Sequence, residues 1–156
     1  DFFGDETATP EFTRSGAWTV DASKSSAPKL SGADVLSAPA GAAGTVARFV
    51  PFLPVAGDYE VFTTHGGNAN ASGVVASVAY ADGISSISVM QSAATANRWV
   101  SLGVFAFGYG RDPSRGAVEL DASQAAGGRV FADAVRFVLV RPQQETSSVK
   151  EWLRFE

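Results

Sequence analysis

The stretch Thr45-Val46-Ala47-Arg48-Phe49-Val50-Pro51, with Pro54-Val55-Ala56-Gly57-Asp58 and Tyr59-Glu60-Val61-Phe62-Thr63-Thr64-His65 behind it, decides the fold class. Its flanks are rich in β-branched and aromatic residues, which suit a pleated, half-buried surface, and its centre carries the Pro, Gly and Asp of a turn. The spacing predicts a hairpin. Further along, Val74 to Ala81 and Ile84 to Gln91 alternate with a period of two around Asp82-Gly83, a favoured two-residue connection, and predict a second hairpin. Trp99 to Phe107, Ala117 to Leu120 and the long run Arg129 to Val140 read as strands, and a short strand is expected near Ala17-Trp18-Thr19-Val20. Ser23 to Gly44, dominated by Ser, Ala, Gly and Pro, reads as a long surface connection. About eight strands at roughly ten-residue spacing predict an all-β fold, an antiparallel β-sandwich of jelly-roll type.

The sandwich is expected over residues 12–140, with an N-terminal extension at 1–11 and a C-terminal tail at 141–156. In that tail Ser148 and Glu151 have the spacing of a capping box, which predicts a short C-terminal helix. A chain of 156 residues, 46% of them hydrophobic, buries roughly two-thirds of its unfolded surface and needs no staple. With no Cys and one His, thiolate zinc sites, disulfide frameworks and multi-histidine metal centres are excluded. A net charge of −4 with scattered Arg argues against nucleic acid as a partner. No apolar run approaches the roughly 18 residues of a membrane helix, so membrane insertion is not expected. The sequence opens at Asp1 rather than Met, the expectation for a processed or excised piece.

Four blocks carry a family resemblance. Ala47-Arg48-Phe49-Val50-Pro51-Phe52-Leu53-Pro54-Val55-Ala56-Gly57-Asp58-Tyr59-Glu60-Val61-Phe62 is close to a W-x-P-x-L-P-x-A-G-x-Y-E-V-Y pattern. Val89-Met90-Gln91, Trp99 to Phe107 and Val130 to Val138 follow in order, and Phe12 with Gly16-Ala17-Trp18 matches an opening F-x-x-x-G-x-W. Together they resemble the golvesin C-terminal and xanthan lyase binding-domain family. Phe49 in place of Trp, Met90 in place of Asn and the long Gly108 to Gly116 loop depart from its pattern. The resemblance implies a noncatalytic β-sandwich module, extracellular or periplasmic, that recognises polysaccharide or a cell-surface glycan.

A sugar site needs a flat aromatic face and a rim of hydrogen-bonding side chains. Trp18, Trp99 and Tyr59 lie within strand blocks and read as framework residues, whereas Tyr109, between Gly108 and Gly110, stands in a loop where it can meet a ligand. His65, Asn68, Asn70, Gln91 and Arg98 flank two further loops and are the expected polar rim. Asn70-Ala71-Ser72 also fits a glycosylation acceptor. Asp133, ionisable in an apolar strand, needs a partner: backbone N–H groups, Arg136, or a structural calcium ion shared with Asp5, Glu6 or Glu11. No G-x-S-x-G elbow or comparable context supports catalysis. Phe2, Phe3, Trp152, Leu153 and Phe155 raise an alternative, a structural subunit that contacts copies of itself or a parent protein through aromatic ends.

Overall fold

Alternation along Gly57–Thr64 buries Gly57, Tyr59, Val61 and Thr63 and turns Asp58, Glu60 and Phe62 outward, so this strand presents one apolar face to a core. The same arithmetic builds the rest of the computed structural model, which describes residues 2–5, 12–21, 35–66 and 69–143, with residues 2–5 and 21 described by backbone alone. In chain order the strands are β1 (Phe2–Asp5), β2 (Phe12–Ser15), β3 (Thr19–Asp21), β4 (Val35–Pro39), β5 (Val46–Phe49), β6 (Gly57–Thr64) and β7 (Ala71–Tyr80). They continue with β8 (Gly83–Gln91), β9 (Val100–Phe107), β10 (Ala117–Asp121), β11 (Ala126–Gly127), β12 (Arg129–Ala132) and β13 (Ala134–Pro142).

One sheet has the order β1-β13-β6-β9; a second runs β7-β10-β5-β2, with β8 and β11 also paired to β7; a third, smaller sheet is β12-β4-β3. All these pairings are antiparallel. Their apolar faces meet in one core cluster. From the first sheet Phe107 lies between Tyr59 and Phe137, with ring centroids 5.9 and 5.3 Å away and rings edge-on. From the second come Phe49 against Phe12 at 4.8 Å, together with Val74, Val78, Val118 and Leu120. Leu36, Ala38, Val130 and Ala132 bring the third sheet into the same cluster. Arg129 ties that sheet together by donating to Ser37 Oγ and Thr19 Oγ1.

The all-β sandwich matches the expectation from period-two alternation, but several local assignments change. β5 and β6 do not pair: β5 belongs to the second sheet and β6 to the first, so the Pro51 to Ala56 stretch crosses between sheets instead of closing a hairpin. Pro51 and Pro54 lack the N–H donors a ladder would use, which suits a crossing. The Ser23 to Gly44 stretch is not wholly a surface connection, because it contains β4, whose Val35, Leu36 and Ala38 are fully buried. Small Ala and Ser residues disguised this strand, since they lack the bulk by which strands are recognised. In the second hairpin the turn residues are Ala81 and Asp82, while Gly83 pairs with Tyr80 at φ +143°, a conformation that side chains rarely adopt. The run from Arg129 to Val140 is two strands in different sheets, divided at Asp133. Residues 2–5, assigned to an extension, form an edge strand on β13. The expected helix at 148–156 lies outside the described residues.

Phe49 has no exposed surface, and truncating a core Phe costs about 3–5 kcal/mol. Phe49→Ala is therefore expected to lower the urea midpoint sharply. Phe52→Ala, at a ring 43% exposed, is expected to shift it far less.

Candidate functional site

The ring packing around Phe107 sets where the next loop leaves the sandwich. β9 ends at Phe107, opposite Gly57 in β6, and the chain then turns through Gly108, Tyr109 and Gly110. Leu53 and Gly110 exchange backbone hydrogen bonds of 3.0 and 2.7 Å, clamping the Pro51 to Ala56 crossing onto this loop. The clamp sets Phe52 edge-on to Tyr109, with centroids 5.4 Å apart at 80°. Tyr109 remains 70% exposed, an aromatic surface supported from behind.

Two clefts open beside it and share Ala81 and Gly108. The larger, about 510 Å³, includes Asp58, Phe107 and Arg141 in its wall; the smaller, about 230 Å³, includes Tyr109, Asp112 and Arg115. Arg141 donates from both Nε and Nη2 to Asp58 Oδ2, at 3.1 and 2.6 Å. Asp112 accepts from the Ser114 backbone N–H at 2.9 Å and from its hydroxyl at 2.7 Å. Those bonds, the side-chain one foremost, hold the Asp112 carboxyl below its ordinary pKa and keep it an acceptor. On the outer face of the second sheet the register aligns Thr13, Arg48, Glu119, Ser77 and Ser86 in one row. There Arg48 approaches Glu119 at 3.6 Å and donates to the Pro113 carbonyl.

The expected rim is not one surface. β6 runs from the Tyr109 end to His65, a span of roughly 23 Å at about 3.3 Å per residue, so Tyr109 and His65 belong to opposite ends of the sandwich. His65 is also fully buried: its Nε2 meets the Ser92 carbonyl at 3.2 Å and the Thr95 hydroxyl at 2.9 Å. Gln91 is 1% exposed and spans Phe131, donating to its carbonyl and accepting from its N–H, both at 2.8 Å. Both residues are interior bracing and not the ligand rim expected of them. Their polarity had marked them as loop groups, but Gln91 pairs both backbone groups of the buried Phe131, and His65 joins the hydrogen-bonded Ser92–Thr95 turn from inside.

Asn70 is exposed, yet its Oδ1 accepts from the Arg129 N–H at 3.1 Å and its side chain lies so close to Gly128 that a Cβ there would collide with it. Arg98 is exposed at the His65 end, and Asn68 lies outside the described residues. Trp18 and Tyr59 join the core; Trp99 is half-buried, 5.9 Å beneath the Arg136 guanidinium. Asp133 is fully buried where the chain changes sheets, and its charge acts on His65. Asp5 stands in β1 opposite Ala134, Glu11 is outside the described residues, and among the described residues no three His, Asp or Glu side chains gather as a metal site. Trp152, Leu153 and Phe155 are likewise outside, and Phe2 and Phe3 are described by backbone alone, paired to β13. Phe52, Asp58, Arg115 and Arg141 escaped the sequence reading. Their one signal was Phe52-Leu53 caught between two prolines, a crossing in which Leu53 turns into the core and leaves Phe52 facing out.

The family described as the Golvesin C-terminal domain matches residues 2–139. Among solved structures, that of Paenibacillus xanthan lyase is similar at 26% identity and a TM-score of 0.74, over 89% of this chain and 13% of the lyase chain. The similarity thus involves a small part of the lyase's length. No curated protein matches the chain.

Burial pushes the His65 ring below its usual pKa of 6.5, with the Ser92 carbonyl and the Asp133 charge opposing in part. Below that value the unfolded chain binds the proton more readily, so stability is full above about pH 6.5 and falls as the pH drops through it. His65→Gln is expected to flatten urea-derived stability between about pH 6.5 and 5. Gln91→Leu orphans both Phe131 groups and is expected to cost about 1–3 kcal/mol for each, read as a lower melting temperature.

Proposed function

Because this chain belongs to the Golvesin C-terminal domain family, we propose that it is a noncatalytic accessory module that binds polysaccharide outside the cytoplasm, in the extracellular or periplasmic space. The observation that carries this reading is the exposed Tyr109 ring, propped by Phe52 and bordered by clefts lined with Arg115, Asp112, Arg141 and Asp58. A flat aromatic face covers the C–H face of a pyranose, while guanidinium and carboxylate groups suit its hydroxyls, acting as donors and acceptors respectively. The similarity to part of a polysaccharide lyase supports the same ligand class. A noncatalytic role agrees with the position of the chain's single His, sealed in the interior where it cannot reach a solvent-side substrate. Such a module works by tethering, which raises the local concentration of whatever it is joined to.

Affinity electrophoresis through gels containing neutral or acidic polysaccharides, together with a glycan array, tests the proposal. The wild type is expected to be retained by at least one polysaccharide. Tyr109→Ala is expected to weaken retention about tenfold, the equivalent of about 1.4 kcal/mol. Arg98→Ala, at the far end, should leave retention unchanged. Absence of retention on every gel and array overturns the reading.

A further inference from the structure

Sheet edges expose unpaired N–H and C=O groups, and proteins ordinarily blunt them with short strands, charges, bulges or covering loops. Most edges described in this chain carry such devices. β1 and β2 have four residues each and include Asp5 and Arg14; β3 has three and includes Asp21. β9 bears a register shift against β6, and its Ala106 carbonyl is occupied by the Ala81 N–H. β8 is the exception: nine residues, Gly-Ile-Ser-Ser-Ile-Ser-Val-Met-Gln, with no charge and no proline.

The register identifies which groups the edge offers. Ala71 pairs with Gln91 of β8 and with Gly127 of β11, so these two strands lie on opposite sides of β7 and β8 is outermost. Tyr80 and Gly83 close the tight hairpin as its hydrogen-bonded pair, so Gly83, Ser85, Ile87 and Val89 direct their backbone groups at β7. Ile84, Ser86 and Ser88 direct theirs away from it. The Met90 carbonyl points the same way and accepts from the Thr95 hydroxyl at 3.2 Å, marking where this open edge ends. Ile84 and Met90, 72% and 62% exposed, occupy the solvent face of the same strand.

We propose that β8 is a dimer edge, on which a second copy of this chain adds its own β8 antiparallel about a two-fold axis at Ile87. The pattern is self-complementary about that residue. Such an axis sets Ile84 opposite Met90 of the other copy, covering the two exposed apolar side chains, and sets Ser86 opposite Ser88 as a hydrogen-bonded pair. The strand carries no charge to repel its twin, although the whole chain has a net charge of −4. The two second sheets then become one continuous sheet. A contact confined to one strand and two apolar side chains is small, so the dimer is weak and concentration-dependent.

Sedimentation velocity of the full chain over about 5–500 μM, a range suited to weak association, is expected to show a monomer passing reversibly into a dimer. Ser86→Lys is expected to remain monomeric, because the two new charges face each other diagonally across the axis. Adding Ser88→Glu to it sets each Lys opposite a Glu and is expected to restore the dimer; pairing centred on Ser86 would instead oppose Lys to Lys. Hydrogen exchange supplies a readout on the unaltered chain: the Ile84, Ser86 and Ser88 amides are expected to gain protection with concentration, whereas those of Ser85 and Ile87 are protected throughout. A wild type that is monomeric over the whole range overturns the proposal. So does a Ser86→Lys variant that dimerises normally, a double variant that does not recover, or exchange independent of concentration.

Discussion

Much of this structure depends on the burial of one ring, Phe107, between Tyr59 and Phe137. The three side chains come from β9, β6 and β13, so their contact fixes these strands relative to one another as well as filling the core. Each ring buries about 150–250 Å² of largely apolar surface, and edge-on aromatic pairs gain about 0.5–1.5 kcal/mol beyond that burial. Because Phe107 is the last residue of β9, pinning it determines the height and direction at which Tyr109 emerges. The exposed platform is thus a consequence of the buried one.

The ends of the sandwich do different work for a physical reason. At the Tyr109 end the Leu53–Gly110 clamp satisfies backbone groups locally, and side chains such as Arg141, Asp58 and Asp112 remain at the surface, bonded but accessible. At the other end the backbone has no such clamp on Phe131, and Gln91 supplies both of its missing partners from inside. His65 and Asp133 occupy the same interior, where burial holds the His65 ring below its ordinary pKa and the Asp133 charge opposes that in part. Polar residues of similar type are therefore left accessible at one end and serve structure at the other.

Period-two alternation made β6, β7, β8 and β9 legible from the chain, because each has an apolar neighbour on one side and water or a second layer on the other. Tyr109 was legible as a loop aromatic from the glycines beside it. His65 and Gln91 were misread because polarity reports hydrogen-bonding capacity, and that capacity is as useful to an orphaned buried carbonyl as to a sugar hydroxyl. β4 was missed because Ser37 and Ala38 are small. Phe52, Asp58 and Arg141 could not be placed beside Tyr109, since their proximity comes from a crossing between sheets that sequence spacing renders as a simple turn.

By itself, then, the sequence determined the class of the fold, the alternating faces and the absence of thiol and multi-histidine chemistry, all of which follow from local stereochemistry and composition. Only the tertiary structure decided which strands share a sheet. Local preference for extended backbone says nothing about which edge a strand will pair with; that choice rests on how several apolar faces pack together at once. The same packing decided that Asp133 marks a change of sheet, that His65 is interior, and that Phe52 stands behind Tyr109.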